Sequence, residues 1–178
     1  MKKEKANRNK TIDTPISEGR VFLEHCITVT EKQPTLDSVT DKTILGNMLE
    51  VCSLLPEKSI DLIIADPPYN LTKSFNGTTF SKRSGNAYEE YTREWLSAVK
   101  PLLKDSGSVY VCCDWESSLI IGNVLSDFFH VRNRITWQRE KGRGAKANWK
   151  NSMEDIWFAT NSNEYTFNLD AVKIRKKV

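Results

Sequence analysis

Asp61-Leu62-Ile63-Ile64-Ala65-Asp66-Pro67-Pro68-Tyr69 is an apolar run bounded by acids and closed by two prolines. Four consecutive apolar residues before a turn signal read as a strand buried on both faces, the pattern of a parallel sheet. The proline pair ends it, because proline has no N–H to give the ladder. Asp66 therefore stands at a strand's carboxyl end, where open α/β sheets hold their ligands.

The residues that close the run carry a specific chemistry. The Asp66 carboxylate and the Pro67 carbonyl accept hydrogen bonds and donate none, and proline holds them stiffly by fixing φ. Two fixed acceptors suit an amino group. Tyr69 adds a π face on which a planar base stacks, worth roughly 1–3 kcal/mol. Acceptors beside a stacking ring describe an extruded adenine or cytosine. Read alone, the tetrapeptide has an ordinary strand-ending turn as its lesser alternative, so its neighbours matter.

On the N-terminal side, Thr43-Ile44-Leu45 reads as a short strand, and Asn47 is a good N-cap for a helix over residues 48–55. Strand, helix and strand make an α/β unit. Residues 1–40 read as a flexible or irregular extension: the first 20 are charged and without periodicity, and the rest carry only scattered apolar residues. On the C-terminal side, residues 70–86 form a long polar loop containing Lys73, Lys82 and Arg83, placed to close over a substrate and touch phosphate. Tyr91, Trp95, Leu96, Val99, Leu102 and Leu103 follow helical spacing, with Pro101 as a kink or late break. A strand over residues 107–113 leads to Asp114, a cap for a helix whose apolar face is Leu119, Ile120, Val124, Leu125 and Phe128.

A strand over residues 131–138 runs into a segment with five basic side chains, Arg139, Lys141, Arg143, Lys146 and Lys150, interleaved with glycines and Trp149. No apolar helix follows Gly142-Arg143-Gly144, which excludes a nucleotide-binding glycine loop. A phosphate-contacting loop on a DNA-binding face fits, with a solvated charged loop as the alternative. Residues 152–160 and 165–168 then read as an antiparallel hairpin around the turn Asn161-Ser162-Asn163-Glu164.

Composition bounds the rest. At 178 residues and 39% hydrophobic, the chain builds one domain with a real core, and a net charge of +3 says little about partners. No apolar run is long enough to span a bilayer, and the lysine-rich start precedes no secretory apolar segment, so a soluble cytoplasmic protein is expected. The four cysteines show no C-x-x-C spacing and only two histidines accompany them, so no metal site is expected.

Asp66-Pro67-Pro68-Tyr69 followed by Asn70 resembles the catalytic motif of the DNA amino-methyltransferases, and the resemblance extends over roughly residues 41–178, including the Glu-x-Ile-x-Phe-Ala-Thr and Thr-Phe-Asn segments at the end. It implies an incomplete doubly wound, Rossmann-like α/β fold, with a mostly parallel sheet and a C-terminal antiparallel hairpin. It implies S-adenosylmethionine as cofactor, contacted by Asp66 and by Asn47. At Asn47's position the family carries an acid, and a plain helix cap is the alternative. It implies catalysis by Asp66, Pro67, Pro68 and Tyr69 on double-stranded DNA with a flipped target base, Lys73 and the five basic residues above meeting the DNA. Asp at the first motif position suits adenine N6. The alternatives are cytosine N4, or a non-catalytic DNA-binding remnant. A restriction-modification setting with a cognate endonuclease is implied too. In the branch with this motif order a target-recognition region and a glycine-rich cofactor motif follow, so a catalytic domain over residues 41–178 that stops short of both, inactive by itself, is the expectation.

Overall fold

The computed structural model describes residues 15–75, 78–143, 147, 149 and 151–173. The chain divides into two units, Met1–Pro56 and Glu57–Val178. Among the described residues no helix is long and apolar enough to cross a membrane.

In the first unit, Pro15 precedes a helix α1 (Ile16–Glu24), and Glu18 in its first turn complements the helix dipole. The segment thus has regular structure where irregular chain was expected. Short helices α2 (Leu36–Val39) and α3 (Met48–Cys52) follow. The strand expected at residues 43–45 is reduced to one parallel bridge between Ile27 and Ile44, made by Ile27 N–H to Thr43 O and Leu45 N–H to Ile27 O, both 2.9 Å.

The second unit begins with β1 (Ile60–Ala65), the strand read from the sequence. A small hairpin, β2 (Lys73–Phe75) and β3 (Thr78–Phe80), rises from the loop behind it. Helix α4 (Gly85–Val99) is capped by Ser84, whose Oγ accepts from Ala87 N–H. It ends where Pro101 approaches, the late break rather than the kink of the two expected outcomes: a 3-10 turn over Lys100–Leu102 follows, and β4 (Leu103–Cys113) starts at once. Helix α5 (Trp115–Phe128), β5 (His130–Arg143), β6 (Asn151–Thr160) and a short α6 (Leu169–Val172) complete the unit.

The sheet order is β1-β4-β6-β5. β1 runs parallel to β4, while β6 runs antiparallel to both β4 and β5. Three of the four strands therefore point one way and β6 returns, which is the mostly parallel sheet expected. The antiparallel hairpin, however, joins β5 to β6. Residues 165–168 are not its second arm, because both edges of β6 are already taken. They pack by their rings instead: Tyr165 and Phe167 lie 6.0 Å from Phe158, which stacks on Tyr110 at 4.7 Å.

The core lies between the sheet and the helices. α5 packs on β4, β5 and β6, and α4 packs on α5. Val109, Val111 and Cys113 alternate along β4 with no exposed surface, under Trp95 and Leu96 of α4 and Ile121, Val124 and Leu125 of α5. Leu119, expected on the buried face from the sequence, is instead 71% exposed, and Ile121 is buried in its place. The phase is set by Ser117, Ser118, Ile121, Val124 and Leu125, whose spacing repeats at three and four residues. Gly122 makes the close approach possible: a Cβ there would meet the Trp157 ring at 2.5 Å, while the Trp157 indole N–H donates to Ser118 Oγ at 3.1 Å. On the other face Leu62 and Ile64 of β1 are 49% and 70% exposed. β1 is therefore only half-covered, against the expectation of burial on both faces.

Candidate active site

Ala65 pairs with Val111, so β1 delivers Asp66 to the sheet's carboxyl end beside Cys112. Asp66 is exposed, Pro67 and Tyr69 are half-buried, and Pro68 is exposed. Burial holds the Tyr69 hydroxyl above the ordinary phenol range, and the negative charge of nearby Asp66 adds to it. Burial, then Asp66, raises the Cys112 thiol in the same way. Asp66 and Tyr69 thus stand close enough for the charge of one to act on the hydroxyl of the other.

Tyr69 separates two clefts. One is lined by Leu71, Asp114, Trp115, Arg139 and Glu154, the other by Pro68, Asn70, Arg83, Tyr88 and Tyr91. In the first, Asp114 caps α5 by accepting from Ser117 N–H at 2.9 Å, which fixes Trp115 at the rim, exposed. In the second, the Arg83 guanidinium lies over the Tyr91 ring, 4.6 Å from its centre.

The loop behind Tyr69 is fastened at its base. Asn70 accepts from Arg83 N–H at 2.7 Å and donates to Arg83 O at 3.0 Å, so one side chain reproduces both bonds of a strand pair. Thr72 Oγ1 accepts from Lys82 N–H at 3.1 Å, and Lys82 Nζ reaches Glu116 at 2.5 Å. Lys82 is therefore tied to α5. The segment read as a long polar loop is organised by β2 and β3.

The residues assigned to DNA fare differently. Lys146 and Lys150 lie outside the described residues, as do the side chains of Lys73, Lys141 and Arg143, whose backbones belong to β2 and β5. Arg139 points into the cleft of Tyr69, where it pairs with Glu154, a carboxylate left 7% exposed. Arg139→Ala is expected to cost about 1–3 kcal/mol of stability, because it leaves a buried acceptor without its partner. Urea denaturation reads this out. A variant as stable as the parent, but weaker on DNA, would return Arg139 to a phosphate-binding role.

Asn47 lies in the first unit, where its Oδ1 accepts from Leu49 N–H at 3.1 Å and its Nδ2 donates to Glu50 at 3.2 Å. Both polar atoms serve the cap of α3. Glu154 and Tyr88 were missed by sequence reasoning. Glu154 was legible only as the first residue of the Glu-x-Ile-x-Phe-Ala-Thr strand, and Tyr88 only as the start of the series Tyr88, Thr92, Trp95, Val99 that forms the buried stripe of α4. Among the described residues no group of acids, histidines and cysteines could hold a metal ion.

Comparison with known proteins places this arrangement. The Type II methyltransferase M.HpaI of Haemophilus parainfluenzae is 33% identical over 139 residues, 76% of this chain and 44% of that protein. The DNA adenine methyltransferase YhdJ of Escherichia coli (strain K12) is 30% identical over 148 residues, 82% of this chain and 50% of that protein. The chain spans about half the length of these curated relatives. Among solved structures, the PvuII DNA methyltransferase (cytosine-N4-specific) matches with a TM-score of 0.61 at 17% identity, over 72% of this chain and 52% of that one. A putative DNA modification methylase from Thermus thermophilus, complexed with S-adenosyl-L-methionine, matches at 0.54 and 18%, over 71% and 56%. The Rossmann-like methyltransferase fold expected from the sequence is the fold shared with these structures. Residues 60–178, which hold the motif, both clefts and the whole four-stranded sheet, match the model of the N6/N4 DNA methylases, and the chain belongs to that family.

Proposed function

We propose that the protein is a cytoplasmic, site-specific DNA methyltransferase that transfers a methyl group from S-adenosylmethionine to the exocyclic N6 of adenine. The observation that carries the reading is the pairing of an exposed carboxylate, Asp66, with the half-buried ring of Tyr69 at the carboxyl end of β1. An acceptor and an aromatic face also suit a cationic methyl donor, and Asp66 is the residue we assign to it. When bound, S-adenosylmethionine supplies an electrophilic methyl group.

The chain's own residues prepare the amine. An exocyclic amine conjugated with its ring is a weak nucleophile. Asp66 and the Pro67 carbonyl accept its two N–H bonds, which favours a pyramidal nitrogen and frees its lone pair. Tyr69 then offers its ring face to the extruded base, offsetting the few kcal/mol lost on unstacking. Catalysis on this reading is positioning and electrostatics, without a covalent enzyme intermediate.

Adenine is favoured by Asp at the first motif position and by the name of the Escherichia coli relative. The basic residues Lys73, Lys141, Arg143, Lys146 and Lys150 are proposed to meet the phosphates of double-stranded DNA. A restriction-modification setting with a cognate endonuclease belongs to the same proposal and rests on the family resemblance alone. The test uses the protein expressed from its full reading frame, labelled S-adenosylmethionine and plasmid DNA, with the DNA digested to nucleosides afterwards. Label in N6-methyladenine is the expected result. Label in N4-methylcytosine would move the target base, and unlabelled DNA would refute the reading.

A further inference from the structure

We propose that Tyr88 is a positioning residue for this reaction, fixing the first torsion of the motif that its prolines leave free; the role in catalysis rests on the function proposed above. Pro67 and Pro68 have φ locked by their rings. Asp66 and Pro67 each precede a proline, which confines them to extended conformations. The first unrestricted rotation along Asp66-Pro67-Pro68-Tyr69 is thus ψ of Pro68. That angle sets both the direction of the Pro68 carbonyl and the course of the chain into Tyr69.

The Tyr88 hydroxyl donates to this carbonyl at 3.2 Å. Tyr88 is 2% exposed, and α4 holds it firmly: its N–H donates to Ser84 O at 3.0 Å, and its carbonyl accepts from Thr92 Oγ1 at 2.8 Å. Burial pushes the phenol up to about 12, so it remains a donor throughout the neutral range. Beyond Tyr69 the chain is held again, by Leu71 N–H to Tyr69 O at 2.6 Å and by the Asn70–Arg83 pair. Tyr69 is therefore fastened on both sides. Productive sites need their groups held to about 0.5 Å, and a ring on a freely rotating link is not.

Phenylalanine supplies the same ring to the core; the hydroxyl, which also has Ser117 of α5 beside it, is the atom that acts on the motif. Tyr88→Phe in the full chain is the test, read by hydrogen exchange and by methyl transfer. Exchange at the amides of residues 69–71 should quicken about tenfold, the equivalent of one ordinary net hydrogen bond. Amides of α4 and β4 should keep their rates. The kcat of methyl transfer should fall by about the same factor, with the KM for DNA unchanged, since phosphate contacts dominate binding. Unchanged exchange at residues 69–71 would overturn the proposal, and so would acceleration spread across the whole second unit, the mark of a merely structural hydroxyl. If the parent protein transfers no methyl group, the functional reading fails, and the exchange comparison still decides the role of Tyr88.

Discussion

Asp66→Ala is expected to lower methyl transfer by at least about 10²–10³-fold, the usual cost of removing one preorganised group aimed at developing charge. The fold should survive, because Asp66 is exposed and substitutions at exposed positions usually change stability little. DNA binding should survive too. Removing a negative charge near a polyanion does not weaken attraction to it, and phosphate contacts supply most of the affinity. Asp66→Asn sharpens the comparison by keeping the shape and one acceptor oxygen while losing the charge, and it should fall between parent and alanine. Label incorporation and gel-shift titration on the same preparations decide the matter. Retained turnover in the alanine variant would remove Asp66 from the mechanism.

Leu125→Ala carries the largest expected loss of stability. Leu125 has no exposed surface and lies beside Ile121 and Val124 where α5 meets the sheet. Truncation at such a site costs about 2–5 kcal/mol, made up of lost transfer free energy and a residual cavity. A domain's whole stability is about 5–15 kcal/mol, so this variant forfeits a large share. Leu119→Ala is the control, with a change within about 0.5 kcal/mol, because the side chain is already 71% in water. Urea midpoints measure both, and equal losses would show that the helix is rotated away from this phase.

That pair also shows what the sequence disclosed and what it hid. α5 was legible as a helix with a cap at Asp114, and β1 as a strand ending at Asp66. The phase of α5 was not legible, because Leu119, Ile120 and Ile121 are consecutive and hydropathy alone does not choose among them. Ser117, Ser118 and Gly122, which sit against the sheet, look like solvent residues in a pattern search. The hairpin was legible as an event but not as a pairing: residues 165–168 have strand-like composition, yet β6 has no edge left to offer them. The motif's acceptors were legible because proline restricts its own backbone so strongly. The role of the Tyr88 hydroxyl was hidden, since nothing in a linear pattern tells a packing tyrosine from one whose hydroxyl meets a carbonyl twenty residues away. Arg139 reads as one of a basic run, and only the fold brings Glu154 to it.

The pair of bonds between Asn70 and Arg83 bears on how such a protein diversifies. Closing a loop becomes more costly only slowly with its length, by about 0.6 kcal/mol per doubling. With the loop's two ends buttoned together beside Tyr69, changes of length or charge out along β2 and β3 are insulated from the motif. The segment is a tolerant appendix on an intolerant stem. Variation there can alter what the protein touches while the chemistry at Asp66 stays as it was.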